Sequence, residues 1–308
     1  MVGVDTRAEI RDFLATRRAK ISPQQVGLPV TGRRRVPGLR REEVAVLAGM
    51  STDWYVRLER GHIADVSDDV LAAVARALQL DEAEQAHLHD LARAARPTRR
   101  PHRRPRPRIR PSVQWMLDSM TAAPAFVRNG RMDILASNTL GRALYAPMFD
   151  HGDQPGPVNI ARFNFLNPRA RDFYPHWDTA ADTTVAIMRT EAGRDPHDRD
   201  LTDLVGELAT RSDEFRSRWA GHDVRLHYTG PKSFHHPVVG HLDLVFEAID
   251  LPTDDLRGLN LTVYTAPPGS ATEDALKLLA SWAASHDTTI APDAGEAITA
   301  EHPIIGEQ

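Results

Sequence analysis

The chain contains no cysteine, so disulfides, thiol nucleophiles, iron–sulfur clusters and thiolate zinc sites are excluded together. Lysine is nearly missing as well: Lys20, Lys232 and Lys277 are the only three among 38 basic residues, a bias that reads as coding composition and says little about mechanism. No run reaches the roughly 18 apolar residues that a membrane span requires, so no membrane partner is expected. The amino terminus, MVGVDTRAEIRDFLATRRAK, lacks the apolar stretch and cleavage site of a secretion signal and reads as mature, cytoplasmic sequence. A glycine-rich phosphate loop, a nucleophile elbow and a usable carboxylate pair are also missing, which argues against an enzyme and implies no cofactor.

What is present is unevenly distributed. A length of 308 residues leaves room for about two domains, and 41% hydrophobic with 26% charged residues is the balance of a soluble globular protein. Residues 1–111 hold 22 Arg or Lys against 14 Asp or Glu, whereas residues 112–308 hold 16 against 28. The net charge of −4 therefore averages a basic piece and an acidic one, the asymmetry expected when one end meets a polyanion. Between them, RAARPTRRPHRRPRPRIRPS can neither continue a helix nor bury a core, because proline withholds a donor and clashes with the preceding turn. It reads as an extended linker, either a solvated tether or a basic arm along phosphates or in a minor groove.

The basic piece shows helical periodicity throughout. Ile10, Phe13 and Leu14 share one face of a first helix; Val44, Leu47 and Ala48 share one of a second. Gly49 then breaks the pattern, Ser51 stands as an N-cap, and Gly61 closes a third helix. Two more follow, from Ser67 with Val70, Leu71, Val74 and Leu78 inward, and from Asp81 with Glu84 as a capping box. In the third helix Tyr55 and Leu58 turn inward, while Thr52, Asp53, Val56, Arg57 and Arg60 fall on the opposite side. A polar stripe of this kind is what a recognition helix needs, although a generic amphipathic hairpin would show the same spacing.

Ala45, Ala48, Gly49, Ser51, Leu58, Glu59 and Gly61 resemble the framework of the Cro/C1-type (XRE family) helix-turn-helix domain. The resemblance implies a double-stranded DNA operator, with Thr52, Asp53 and Arg57 at base-reading positions and Ser51 and Arg60 at phosphate-contacting ones. The stretch ISPQQVGLPVTGRRRVPG is an insertion relative to that family, and its Arg33, Arg34 and Arg35, followed by Arg40 and Arg41, are further candidate DNA contacts. A solvated loop is the alternative.

In the acidic piece, Phe126 and Val127 followed by Met132, Ile134 and Leu135 read as two strands joined at Asn129-Gly130, a pair that favours the positive φ of a hairpin turn. Residues 176–219 read helical around a break at Gly193 to Pro196. Val224 to Tyr228, Leu242 to Ile249 and Leu259 to Thr265 read as strands, and Thr272 to Ala284 as a closing helix. The histidines at 222, 227, 235, 236 and 241 lack metal-ligand spacing, so no metal site is expected. PAFVRNGRMDILASN, WAGHDVRLHYTGPKSFHHPVVGHLDLVFEAIDL and LNLTVYTAPPGS are similar to the ligand-binding domain of the MmyB-like transcription regulators. That resemblance implies a PAS-like domain, a small antiparallel sheet with flanking helices, and a fatty-acid-type ligand.

The expected protein is multidomain: an all-α helix-turn-helix domain (1–95), an Arg/Pro linker (96–111), an α+β PAS-like ligand-binding and dimerisation domain (112–285) and a tail (286–308). An apolar ligand with one polar end needs an apolar wall and a paired headgroup. Phe126, Phe163, Phe165, Trp177 and Phe246 are candidates for the wall, and Asn138, His222, Lys232 and His236 for the head. A homodimer is expected because paired recognition helices read two half-sites. The alternative is that the acidic half only dimerises or binds a protein partner.

Overall fold

A computed structural model describes residues 6–29, 36, 38–96, 109–150, 156–224, 228–252 and 258–287. The Arg33 to Arg35 loop, most of the Arg/Pro linker and the tail lie outside these residues.

The amino-terminal part is helical among the described residues: α1 (Thr6–Lys20), a 3-10 turn (Pro23–Val26), α2 (Arg41–Leu47), α3 (Thr52–Glu59), α4 (Asp68–Ala77) and α5 (Glu82–Ala94). Its core gathers the predicted positions, with Ile10, Phe13, Leu14, Val44, Tyr55, Leu58, Leu71, Val74, Leu88 and Leu91 buried together. The turn between α2 and α3 needs a left-handed residue, and Gly49 supplies it with φ +68. Gly61 ends α3 at φ +93, and a Cβ there would lie 2.8 Å from the Arg7 backbone, so α1 and the end of α3 touch without an intervening side chain. Asp81 accepts the Glu84 amide at 2.8 Å and Glu84 returns the bond to the Asp81 amide at 3.1 Å, completing the capping box.

The carboxy-terminal part begins with α6 (Pro111–Ser119), which starts one residue inside the expected linker, and then forms β1 (Ala125–Asn129) and β2 (Ile134–Ser137). Short helices α7 (Thr139–Leu144), α8 (Ala146–Phe149), α9 (Ile160–Leu166) and α10 (Arg169–Phe173) precede the long α11 (Trp177–Arg194), α12 (Arg199–Arg211) and α13 (Asp213–Ala220). β3 (Thr229–His236), β4 (Gly240–Leu251), β5 (Leu259–Thr265) and α14 (Ala271–Asp287) complete it. The sheet has five antiparallel strands in the order β2-β1-β5-β4-β3. One face carries Phe126, Phe234, Leu242, Leu244, Phe246 and Tyr264 into a core shared with α7 to α12 and α14. The other face, bearing Val127, Leu259 and Leu261, is covered at one end by Val113 and Leu117 of α6.

Three expectations are corrected. The β1–β2 connection exists, but Gly130 has no positive φ; the left-handed residue is Met132, at φ +68. Gly130 is small for another reason, since a Cβ there would fall 2.2 Å from the Glu191 carboxyl carbon. Val224 is not in a strand: it is buried in the amino-terminal core, and residues 225–227 lie outside the described ones. Instead TGPKSFHH forms β3, whose glycine and proline disguise it because both are unfavourable inside central strands. An edge strand tolerates them, and β3 is at the edge.

Candidate functional site

The first candidate surface is α3. The Ser51 hydroxyl accepts the Trp54 amide at 3.2 Å, fixing the start of the helix, and Thr52, Asp53, Arg57 and Arg60 are all exposed. Val56 departs from its expected place and is half-buried. Trp54, missed by periodicity because an aromatic side chain reads as core, is 36% exposed on the same helix. Beneath α3, Glu59 is buried and holds Arg18 at 3.0 Å and Arg41 at 3.0 Å. Hydrogen bonding to Glu59 raises the Arg41 pKa further, so Arg41 braces the domain and is half-exposed beside it. Arg40 caps α2, donating its backbone amide to Glu43 at 2.6 Å, and its guanidinium reaches Glu42 at 3.4 Å.

A groove of about 820 Å³ flanks α3, lined by Arg7, Trp54, Arg57, His62, Asp65 and their neighbours. It is open and charged. Such a lining suits a phosphate backbone better than an acyl chain.

The second candidate is the inner face of the sheet. Phe126, Phe163, Trp177 and Phe246 are buried in one core and Phe165 packs against it, so all five predicted apolar residues come together. Three tyrosines that sequence reading passed over join them. Tyr145 and Tyr264 share a hydrogen bond at 2.6 Å, and the buried Tyr174 hydroxyl lies in the same cluster. Burial raises all three phenol pKa values. The chain has five tyrosines and four of them fall in this domain, which was a usable signal.

Lys232 is paired across β3–β4 with Leu244, which puts its side chain on the core side of the sheet. Its ammonium lies 5.0 Å from the centre of the Tyr174 ring and 5.9 Å from that of Phe234, and among the described residues no carboxylate pairs with it. Burial, with the Arg128 charge adding to it, lowers the Lys232 pKa to about 8. Arg128, another residue missed earlier, is buried on the same face, where burial also depresses its pKa. It shares a cross-strand row with Asn260 and Asp250. A cleft of about 180 Å³ with Met148, Val158, Phe163 and Leu166 in its wall and Arg162 and Arg211 at its rim opens to the surface beside this core.

The other expected head residues are placed elsewhere. Asn138 caps α7, accepting the amides of Gly141 at 2.7 Å and Ala125 at 3.0 Å and donating to the carbonyls of Met120 at 2.6 Å and Ala123 at 2.8 Å. Its amide is fully used. His236 bonds the Ala143 carbonyl at 3.0 Å through Nε2 and accepts the Val238 amide at 3.2 Å through Nδ1, and burial lowers its pKa; it is a neutral brace. His222 sits between the two domains, against Glu9 and Arg189. Among the described residues, no group of three His, Asp or Glu is arranged to hold a metal ion, and no helix is long and apolar enough to cross a membrane.

The family model of the MmyB-like transcription regulator ligand binding domain matches residues 109–279, and that of a helix-turn-helix domain matches residues 9–88. The chain belongs to the MmyB-like transcription regulators. No curated protein matches it. The first match spans α6 to α14 and the second spans α1 to α5, so each domain seen in the fold corresponds to one family unit. As an MmyB-like regulator the protein is a DNA-binding transcription regulator with a ligand-binding domain.

Proposed function

We propose that this regulator reads its operator with α3 and that its DNA affinity is set by an anionic, apolar molecule of the fatty-acid class held against the inner face of the sheet. The observation that carries the reading is Lys232: a cation without a carboxylate partner among the described residues, turned toward an aromatic core. A ligand carboxylate would offset the desolvation of that half-buried charge, and its tail would take the place of side-chain contacts along Phe126, Phe163, Phe165, Trp177 and Phe246. The cleft between Met148 and Leu166 is the proposed mouth. A five-stranded antiparallel sheet with helices on its inner face supports a PAS-like reading of the domain. Exposed Trp115 on α6 and Val245 and Ile249 on the outer sheet face support homodimer formation through that side.

The headgroup assignment predicts a pH dependence. With its pKa near 8 in the free protein, Lys232 is charged below that pH and loses its proton above it, while a bound carboxylate would restore the ammonium. Dodecanoate affinity is therefore expected to be full at pH 7 and to fall about tenfold by pH 9.5, with proton uptake on binding between those limits. Calorimetric titration of the full chain at both pH values, with dodecanol as the uncharged control, measures it. Lys232→Met should remove the pH dependence and weaken dodecanoate more than dodecanol; equal losses for both would remove Lys232 from the head site.

For the DNA interface we propose Thr52, Asp53 and Arg57 as base readers and Ser51, Arg60, Arg40 and the Arg33 to Arg35 loop as phosphate contacts, with Arg41 in support. Arg57→Ala is expected to cost about 1 to 3 kcal/mol at the operator and to relax preference at one base pair, whereas Arg60→Ala should weaken all duplexes alike and reduce the salt slope by about one. Equal losses for Arg57→Ala on operator and random DNA would place it on the backbone.

A further inference from the structure

Helix α11 packs into the sheet-domain core and also against α5 and α1 of the helix-turn-helix domain. Trp177, Ala181, Val185 and Met188 point into the sheet domain, while its last turns meet the helix-turn-helix domain. Arg189 is fully buried. Its guanidinium bonds Glu9 of α1 and the Trp219 carbonyl, lies 3.0 Å from Nδ1 of His222, and stacks 3.9 Å above the Trp219 ring. His222 Nδ1 is in turn 3.2 Å from the Glu9 carboxylate. One turn on, Gly193 has no room for a side chain, because a Cβ would lie 2.4 Å from the His87 ring of α5. Alongside, the nearly buried Arg17 of α1 reaches Asp223 at 3.0 Å and Glu84 at 3.1 Å, and Val224 inserts into the helix-turn-helix core.

Two features make this seam more than a chance contact. Buried charges are tolerated only when partners are held in place, and the partners of Arg189 come from α1, from the end of α13 and from the loop after it. A glycine with an imidazole against its backbone is likewise specific to one docked arrangement. The seam also leaves Thr52, Asp53, Arg57 and Arg60 exposed, so docking does not cover the DNA-reading face. Its effect is on where α3 points.

We propose that α11 clamps the two domains into one mechanical unit, latched by Glu9, Arg189 and His222 and seated by Gly193 on His87, and that the state of the aromatic core reaches α3 through α1 and α5. This relay rests on the ligand reading above. A ligand changes DNA affinity only if it favours one arrangement of such an element over another, and α11 is the element that lines the sheet core and also meets α1 and α5.

The test uses the full chain, with Gly193→Ala to wedge the seam and Arg189→Met to remove the latch charge while keeping apolar volume. Hydrogen exchange is followed in α1, α5 and α11, and operator affinity is measured with and without dodecanoate. In the unmodified protein dodecanoate is expected to shift operator affinity at least fivefold. In both variants it should bind within twofold of normal and no longer shift operator affinity, and exchange should speed up together in α1, α5 and the end of α11. If dodecanoate binds the variants and still shifts operator affinity as before, the relay is overturned. If dodecanoate fails to bind even the unmodified protein, the ligand reading falls separately, and the clamp is then decided by exchange: acceleration confined to α11 overturns it, and joint acceleration in all three helices upholds it.

Discussion

Glu59→Ala is expected to destabilise the DNA-binding domain by about 3 to 5 kcal/mol, the range for breaking a buried ion pair by removing one partner. Glu59 is 1% exposed, whereas the Arg18 side chain is 15% and the Arg41 side chain 49% exposed. Removing the carboxylate leaves Arg18 bonded to the Leu39 carbonyl at 2.8 Å with its charge unbalanced beneath Tyr55. A loss of this size is a large share of the stability of an ordinary domain, which is about 5 to 15 kcal/mol. Glu59→Gln should cost less, since an amide can still accept one arginine bond. Urea denaturation of the full chain, followed by circular dichroism of its helices, measures both. A loss below about 1 kcal/mol for Glu59→Ala would mean that water replaces the carboxylate freely, against the burial seen here.

Glu191→Gln should act in the opposite direction, with a gain that grows as pH rises from 4.5 through 7. Burial raises the Glu191 carboxyl from 4.5 to about 7, with Arg194 opposing the shift and Asp198 and Asp195 adding to it. The folded state therefore holds a proton between pH 4.5 and 7 that the unfolded chain has released. Stability from this group is fully present below pH 4.5 and is lost as pH rises through 7, by about 3 kcal/mol in all. Glutamine copies the neutral acid. Glu191→Gln is thus expected to match the unmodified protein at pH 4.5 and to exceed it by up to about 3 kcal/mol at pH 8, read from urea midpoints. A difference that stayed constant with pH would show that the carboxylate is solvated beside Gly130. Glu9 has the reverse sign: burial pushes its pKa up, but the His222 bond and the Arg189 charge override that and hold it at about 2. Its contribution is present above pH 4.5 and disappears as pH falls toward 2.

The helix-turn-helix half was legible because its signals are local. Gly49, Ser51, Asp81 and Glu84 act within a few residues of themselves, and a 3.6-residue period fixes which side of α3 is buried. The ligand half was legible in its regular strands and in its longer helices, α11 to α14. β4 alternates buried and exposed residues along GHLDLVFEAIDL and could be read directly, whereas β3 hid behind Gly230 and Pro231. Asn138 and His236 carry side chains suited to a ligand, and only the distances to Gly141, Ala125 and Ala143 show that their polar atoms are already committed. Arg128 and Asn260 meet through sheet register, which joins β1 to β5 across more than a hundred residues. His222 is the sharpest case. Nothing in its neighbours predicts Glu9 as a partner, because that contact depends on how two separately folded cores dock.

The sheet itself is sealed at both borders. Along β2, the Ile134 amide donates to Val158 at 2.8 Å and the Ile160 amide returns a bond to Met132 at 2.9 Å, so a turn of the same chain already occupies the backbone groups where a neighbouring strand would begin. Along β3, Pro231 withholds a backbone donor in the middle of the border. A strand from another molecule thus meets an interrupted ladder on either side, which guards the sheet against edge-to-edge growth at high concentration. Two copies that do meet must join by side chains across a face, leaving each molecule's hydrogen-bonded sheet complete in itself.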